Sequence, residues 1–409
     1  MAFNGDGDEP FISLEEERRR RAANGANYGS LGEWDAGFDD EPIPPREWLL
    51  GNIFCRRFVS SLIGDGAVGK SSLRLLQMLS LATGRPLSGD HVFHRSRVLI
   101  VSLEDDRDEM RRRLQAAMIH HKIDRSELAG WLWVATPNAN EFRLAVTEAG
   151  VHKAGPMATT LPETIRDLDI AIASIDPFVK SHGVEENDNN AINLVVTILA
   201  QIAIRENCAI DALHHVSKGQ SDPGNASRGR GAGAFAAGAR LVYTLSPMSA
   251  EDATGFGIPD AERRSIVRMD SAKVNIAPQA ADATWFRLVG VNIANGTDRY
   301  PNGDEVATAE PWDTPDLFDG LASPVLNDIL TAIDRGMPDG RRYSDQPRAT
   351  DTAAWLVVRQ HAGEKTEKQA RSIIKAWVKS KLLISEPYEN PRERKTRTGL
   401  RVDHTRRPT

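Results

Sequence analysis

Nine consecutive residues, 64–72, have the types and the spacing of a phosphate-binding loop. They read GDGAVGKSS and match the pattern G-x-x-x-x-G-K-[ST] through Gly64, Gly69, Lys70 and Ser71. In such a loop, backbone N–H groups surround the β-phosphate, the lysine neutralises the β- and γ-phosphates, and the serine hydroxyl binds Mg²⁺. The residues predicted to contact a nucleotide are Gly64, Asp65, Gly66, Ala67, Val68, Gly69, Lys70, Ser71 and Ser72.

The residues around this loop predict how it is positioned. It follows the apolar run RFVSSLI and precedes an amphipathic segment over 70–83, so it joins a strand to a helix whose N-terminal dipole favours an anion. We expect Gly64, Gly66 and Gly69 to permit the close approach of phosphate and positive φ angles. We expect Ser72 to close the pocket.

Two acidic residues follow apolar segments. Glu104 comes after VLIVSL and Asp176 after LDIAIASI. Ligands of open parallel sheets bind at the carboxyl ends of the strands, so both side chains are predicted to face the nucleotide. Glu104 would polarise the water that attacks the γ-phosphate, although a carboxylate here could instead cap the next helix, as Asp105 or Asp106 also could. Asp176 would hold Mg²⁺ through water, and with Ser71 it forms the predicted metal site.

A further strand, in CAIDALHHVSKG, ends in two histidines. A polar residue at this strand end, either His214 or His215, could sense the γ-phosphate. Metal binding and a buried core histidine are the alternatives, and no other Cys or His is close enough in sequence to favour the metal. The glycine- and serine-rich segment after it carries Lys218, Arg228 and Arg230. That segment is either a connector or a mobile loop that binds phosphates of nucleic acid.

The elements that must position these residues alternate between strands and helices from about 48 to 238. Near-continuous apolar strands separated by amphipathic helices predict a mostly parallel α/β sheet. After 238 the strands follow one another without long helices, which predicts an antiparallel extension. The fold class is therefore α/β, a phosphate-loop NTPase core with a winged-helix-like domain at the C-terminal end.

Composition and charge divide the chain into four parts. We predict an acidic, mostly disordered arm over 1–45 with one short helix around 13–23, an ATPase domain over 46–295, a polar linker over 296–322 and a winged-helix-like basic domain over 323–409. Residues 1–50 carry 12 acidic and 5 basic side chains, whereas residues 335–409 carry 18 basic and 9 acidic ones. A basic end on a chain of net charge −6 is typical of nucleic-acid binding, although a solvated surface explains it equally well.

The basic end has the outline of a helical unit closed by a hairpin. In KTEKQARSIIKAWVKSKLL, apolar residues share one helix face and basic residues the other, and RERKTRTG would form a wing. Winged helices bind either DNA or protein, and we favour DNA. The residues predicted to contact nucleic acid are Lys218, Arg228, Arg230, Arg371, Lys375, Arg394, Lys395 and Arg397.

The ordered set of motifs over about 48–295 resembles the RepA-like branch of RecA-fold ATPases, the hexameric replicative DNA helicases of plasmids and phages. The set is the phosphate loop, Glu104, the strand ending in Asp176, HHVSKG, and SRGRGAGAFAAGARLV. The resemblance implies a RecA-like fold, ATP and Mg²⁺ as cofactors, a ring of identical subunits, and single-stranded or forked DNA as partner. It implies that Lys70, Glu104, Asp176 and His215 are catalytic, and that Arg240 is an arginine finger reaching the neighbouring subunit's γ-phosphate. Lys273 is a further candidate for a nucleotide contact.

Composition bears on the cellular compartment and on the alternative functions. Cys55 and Cys208 are far apart and in no C-x-x-C, and no apolar run is long enough to span a membrane, so we expect a cytoplasmic protein without a disulfide framework. The favoured function is a DNA-stimulated ATP-hydrolysing motor of the helicase type. The alternatives are a DNA-binding ATPase switch in replication initiation, partitioning or regulation that does not unwind DNA, and a small-molecule kinase. No lid segment is evident for the kinase.

Overall fold

The computed structural model describes residues 34, 36–37, 39–215, 224–225, 232–280, 282–315 and 318–407. By its internal contacts the chain divides into Met1–Arg46 and Glu47–Thr409, and the helices and strands described below lie in the second unit. Most of the predicted acidic arm, including its short helix, lies outside the described residues.

A nine-stranded sheet forms the centre of the described part of the chain, in the order β13-β12-β11-β10-β3-β9-β8-β4-β5. The strands from β10 to β5 run parallel, and β10 to β13 pair antiparallel. The sheet strands are β3 (Val59–Gly64), β4 (Val98–Ser102), β5 (Leu132–Ala135), β8 (Ile172–Asp176), β9 (Ala209–His215), β10 (Leu241–Pro247), β11 (Ile266–Val274), β12 (Thr284–Asn292) and β13 (Glu305–Pro311). The predicted α/β core, mostly parallel with an antiparallel extension, is confirmed.

Helices cover both faces of this sheet. They are α1 (Lys70–Thr83), α2 (Arg107–His121), α3 (Arg125–Leu128), α4 (Met157–Asp167), α5 (Asn189–Arg205), α6 (Ala232–Gly238), α7 (Ala250–Phe256) and α8 (Asp260–Arg263). Alternate strand residues join different apolar cores: Leu62 packs with α1, whereas Ile63 packs with α5. The central strands are apolar almost throughout because both of their faces are buried.

Among the described residues, three two-stranded hairpins lie outside the main sheet. They are β1 (Trp48–Leu50) with β2 (Phe54–Cys55), β6 (Ala145–Glu148) with β7 (Val151–Ala154), and β14 (Leu383–Asn390) with β15 (Lys395–Val402). The β6–β7 hairpin and α4 lie in the crossover between β5 and β8, a segment for which the sequence predicts no helix or strand.

The predicted linker over 296–322 is wrong for its central part, because Glu305–Pro311 form β13. This strand pairs with the whole of Phe286–Asn292 and is the edge of the main sheet. The imidazoles of His120 and His121 on α2 bond to Glu310 and to the carbonyl of Ala309, each at 2.8 Å. The sequence EVATAEP carries little strand propensity of its own, so only pairing with a distant segment selects its conformation. The α/β core therefore extends to residue 311 instead of ending at 295.

The C-terminal residues form three helices and the hairpin β14–β15 around one apolar cluster. The helices are α9 (Ser323–Arg335), α10 (Trp355–His361) and α11 (Glu367–Lys379). Ile329, Val358, Trp377 and Leu400 are among the buried residues that the four elements share. The order of helices and hairpin agrees with the winged-helix-like prediction. None of the described helices combines the length and apolarity that crossing a membrane requires.

Candidate nucleotide-binding site

The phosphate loop lies where the sequence predicts it, between β3 and α1. Helix α1 begins at Lys70, and Gly69 before it has φ 95°. A Cβ at Gly64 would lie 2.5 Å from the carbonyl oxygen of Leu245, so that position requires glycine for packing. Gly66 differs from the expectation, since it has no positive φ and a Cβ there would meet nothing within 4 Å. The left-handed residue in this part of the loop is Ala67, at φ 62°.

Lys70 is held inside the loop. Its side chain, in a residue only 4% exposed, donates hydrogen bonds to the carbonyls of Gly64 at 2.8 Å and Asp65 at 2.7 Å. Burial lowers the pKa of Lys70 to about 8, and the nearby charges of Asp176, Asp65 and Glu104 oppose that shift. The two carbonyls occupy two of the three N–H donors of this ammonium.

The same ammonium reaches β9. Nζ of Lys70 lies 3.1 Å from Nδ1 of His215. Because an ammonium only donates, Nδ1 is the acceptor and the proton of the neutral imidazole is on Nε2. Burial and the charge of Lys70 lower the pKa of His215, so the ring is neutral near pH 7. The sequence prediction that His215 faces the phosphate loop is therefore consistent with its position.

Its neighbour His214 points to the opposite face of the sheet, as strand alternation requires. It is buried against the rings of Phe178 and Phe235, with centroid separations of 5.4 and 5.6 Å. Burial lowers the pKa of His214 to about 4, and that of nearby His182 also to about 4. His214 is thus a core histidine, although its buried Nδ1 has no hydrogen-bond partner.

Ser71 and Asp176 meet at the carboxyl end of β8. The hydroxyl of Ser71 donates to Oδ2 of Asp176 at 2.5 Å. Burial raises the pKa of Asp176, while the hydroxyl of Ser71 and the charge of Lys70 oppose the shift. A hydroxyl beside a carboxylate supplies the oxygen ligands that Mg²⁺ prefers, and Mg²⁺ usually takes its other ligands from water and phosphates. These two residues therefore fit the ion. No set of three His, Cys, Asp or Glu side chains suited to a metal occurs among the described residues.

Ser72 is less suited to its predicted role. Its hydroxyl lies 3.4 Å from the carbonyl oxygen of Ala307 on β13 and so faces the edge of the sheet. In the first turn of α1 it is the backbone N–H of Ser72 that remains available to a phosphate.

The three acidic residues after β4 have different surroundings. Asp106 caps α2 by accepting from the backbone N–H of Glu109, so the capping role belongs to Asp106 and not to Glu104. Asp105 pairs with Arg113 at 3.0 Å. The side chain of Glu104 is 56% exposed and lies 3.6 Å from Nζ of Lys180. Glu104 thus does not cap α2. It lies close enough to Lys70 and Asp176 for its charge to raise the pKa of both.

Arg240 lies at the other end of the sheet. Its backbone N–H donates to Val59, the first residue of β3, and its carbonyl accepts from the N–H of Asn275, both at 3.1 Å. Its residue is exposed. Lys273 does not contact the loop, because its ammonium donates to the carbonyls of Ala236, Ala237 and Ala239 at the end of α6.

The predicted nucleic-acid contacts fall into two groups. Lys218, Arg228 and Arg230 lie outside the described residues. The C-terminal candidates are exposed or half-buried: Arg371 pairs with Glu367 at 2.9 Å, and Arg397 pairs with Glu393 at 2.7 Å. Arg394, Lys395 and Lys375 are exposed, the first two at the turn of the hairpin.

Residues 26–221 match the family model described as an AAA domain. That range covers a little under half of the chain and includes the phosphate loop, Glu104, Asp176 and His215. The structure is also similar to a solved structure described as a DnaB-like replicative helicase and its interactions with primase, with a TM-score of 0.40 and 14% sequence identity. The similarity covers 57% of this chain and 56% of the helicase chain, so it spans little more than half the length of that protein.

One feature of the site was missed from sequence. Arg74 and Asp211 form a buried ion pair behind the phosphate loop. The signal was present, since an arginine interrupts SLRLL on the buried side of α1 and an aspartate interrupts the apolar strand AIDAL. A charged residue inside an apolar run requires a partner, but its identity depends on which elements pack together.

Proposed function

We propose that this protein is an ATP-hydrolysing, DNA-stimulated motor of the RepA-like replicative helicase type, acting as a ring on single-stranded DNA. The observation that carries the ATPase part is the meeting of Lys70, His215, Ser71 and Asp176 around one phosphate loop. The AAA-domain match over the same residues supports it.

Each of these residues has a role that follows from its position. The loop N–H groups and Lys70 would bind the β- and γ-phosphates. Ser71 and Asp176 would hold Mg²⁺, which when bound neutralises phosphate charge. Glu104, exposed beside them, would accept a proton from the attacking water. His215 would report the state of the γ-phosphate, because it contacts the lysine that binds it.

The position of Arg240 is compatible with an arginine-finger role only in an oligomer. Arg240 is next to Val59 at the start of β3, and the loop follows Gly64 at its end. Five strand residues separate these points by about 17 Å at about 3.3 Å per residue. An arginine at that distance does not reach the γ-phosphate of its own subunit, so an arginine-finger role would require a neighbouring copy.

DNA is the proposed partner because basic side chains are exposed on the C-terminal unit. Arg394 and Lys395 project from the turn of the β14–β15 hairpin, and Lys375 lies on the exposed face of α11. Exposed cations on a helix and on the following hairpin suit two neighbouring stretches of phosphate backbone. The same surface would serve the alternative function, a DNA-binding ATPase switch that does not unwind.

The first test is the ATPase rate per subunit against protein concentration, with and without single-stranded DNA. A steep rise with concentration and stimulation by DNA support the motor, and unwinding of a forked duplex then separates motor from switch. Lys70→Ala is the control and should fall to background. A rate per subunit that depends on neither protein concentration nor DNA would contradict the helicase assignment. Unchanged turnover in Lys70→Ala would contradict the assignment of the nucleotide-binding site.

A further inference from the structure

A buried ionic cluster lies behind the phosphate loop, on the α1 face of the sheet. Nε of Arg74 donates to Oδ2 of Asp211 at 3.1 Å, and Nη2 lies 3.0 Å from Oδ1. The hydroxyls of Ser60 and Ser174 also donate to this carboxylate, at 3.0 and 3.1 Å. Arg74 is 2% exposed and Asp211 is 0% exposed. We name these four residues the keystone cluster.

The elements that carry the phosphate loop, Asp176 and His215 each contribute one member of the keystone cluster. Ser60 is on β3, Ser174 on β8, Asp211 on β9 and Arg74 on α1. Asp211 stands in register with Ser60 on one side and with Ser174 on the other. The cluster therefore ties three adjacent strands and the loop helix together through side chains, in addition to the backbone ladder.

The members are close in sequence to the site residues that they would position. Arg74 lies one turn of α1 after Ser71, and Ser174 lies two residues before Asp176. Two-residue spacing in a strand keeps two side chains on one face, so Ser174 and Asp176 both face α1. Asp211 and His215 are four residues apart on β9 and likewise share that face.

The chemistry of this cluster differs from that of the surrounding core. Two buried ions carry a large desolvation cost, and well-packed apolar residues in their place are commonly as stabilising or more so. Apolar packing is tolerant of small shifts, whereas a carboxylate that accepts three hydrogen bonds and one further ion-pair contact fixes the elements that make them. The cluster is thus better explained by geometry than by stability.

We propose that Arg74 and Asp211, with Ser60 and Ser174, are positioning residues that hold Ser71 and Asp176 at the separation that Mg²⁺ binding requires. This inference rests on the proposed nucleotide site, but not on helicase activity. On this proposal the cluster lies behind the two Mg²⁺ ligands. Its loss would weaken Mg²⁺ binding although both ligands remain.

The test is binding of a fluorescent ATP analogue to the full chain, titrated with Mg²⁺. The pair variant Arg74→Met/Asp211→Val removes both ions and leaves neither charge unpaired. We expect its melting temperature to stay within a few degrees of the wild type, while the Mg²⁺ concentration for half-maximal binding rises about tenfold. The control is Glu206→Gln, which removes the charge of a carboxylate that pairs with the exposed side chains of Arg166 and Arg205 just before β9, at the end opposite His215.

A milder pair of variants keeps the test valid if the double variant does not fold. Ser174→Ala removes one donor to Asp211, and Ser80→Ala removes an equally buried hydroxyl that bonds to Leu76 within α1. We expect a several-fold rise in the Mg²⁺ requirement for the first variant and none for the second.

The outcomes separate the two proposals. If the folded pair variant and Ser174→Ala both need no more Mg²⁺ than the wild type, the keystone cluster is structural only and the inference is wrong. If the wild type binds no nucleotide at any Mg²⁺ concentration, the proposed function is wrong instead.

Discussion

The ammonium of Lys70 lies 3.1 Å from the imidazole of His215, although 145 residues separate them along the chain. The contact follows from strand pairing, because Gly64 at the end of β3 stands beside His215 at the end of β9. Lys70 begins α1, and His215 ends β9, the strand beside β3 in the sheet. The register of β3 and β9 therefore brings the two side chains together. We therefore expect His215 to link a phosphate bound by Lys70 to the segment after β9.

His215→Ala should uncouple nucleotide binding from DNA response. We expect the affinity for a fluorescent ATP analogue to change no more than a few-fold, since Lys70 keeps its two carbonyl partners. Stimulation of ATP hydrolysis by single-stranded DNA should fall at least about tenfold, in line with the loss of one positioned polar group. His152→Ala serves as the control, because that exposed histidine bonds to Thr147 and Asp188 instead. Full stimulation in His215→Ala would contradict the link.

Asp176→Asn should abolish Mg²⁺-dependent turnover while leaving the fold intact. The substitution keeps the size of the side chain and an acceptor for Ser71, but removes the charge that suits Mg²⁺. We expect the hydrolysis rate to fall by about two orders of magnitude or more. Asp105→Asn is the comparison, since Asp105 is committed to Arg113. Equal losses in both variants would show that the assignment of the metal site to Asp176 is wrong.

Arg240→Ala and Lys70→Ala should complement each other when mixed. Each variant alone is expected to be inactive, because one lacks the arginine and the other the loop lysine. In a mixed ring, an intact loop next to an intact arginine forms at about one interface in four. We therefore expect about a quarter of the wild-type ATPase rate from an equal mixture. No recovery in rings shown by sedimentation to be mixed would argue against action of Arg240 on a neighbour.

Stability should fall as the solution is acidified from pH 6.5 toward pH 4. His182 and His214 have folded pKa values of about 4, against 6.5 for the unfolded chain, so the unfolded state binds more protons in this window. Each group contributes stability above pH 6.5 that is lost on acidification, on the order of 3 kcal/mol at about 1.4 kcal/mol per pKa unit. Urea unfolding at several pH values measures this loss.

His214→Leu tests the origin of that pH dependence. Leucine suits the apolar surroundings formed by Phe178 and Phe235 and does not titrate. About half of the loss between pH 6.5 and 4 should disappear. An unchanged slope would show that other groups, such as the carboxylates, dominate acid unfolding.

Substitutions on the C-terminal surface should weaken DNA binding in a salt-dependent way. Arg394→Ala/Lys395→Ala removes two exposed cations at the hairpin turn. We expect the slope of log K against log salt to decrease by about two for duplex DNA, because each phosphate contact contributes about 0.9. Arg111→Ala on α2, 70% exposed, is the control. An unchanged slope would favour the alternative in which this unit binds protein.

Local patterns in the sequence determined much of the core. The loop G-x-x-x-x-G-K-[ST] fixes its own position between a strand and a helix, and the bounds of α1, Lys70–Thr83, follow from its apolar periodicity. The strands ending in Asp176 and His215 are likewise evident from continuous apolar runs. Such signals are local, because they depend on residues a few positions apart.

The tertiary structure decided which residues meet. The composition of Glu305–Pro311 predicts a linker, and only pairing with β12 makes this segment a strand. His214 and His215 have different surroundings because they face opposite sides of the sheet. Arg74 and Asp211 are 137 residues apart and form an ion pair only because α1 packs on that face of β9. Their contact, like that of Lys70 with His215, depends on strand order and register. Strand order and register are properties of the whole sheet, and a local sequence pattern does not reveal them.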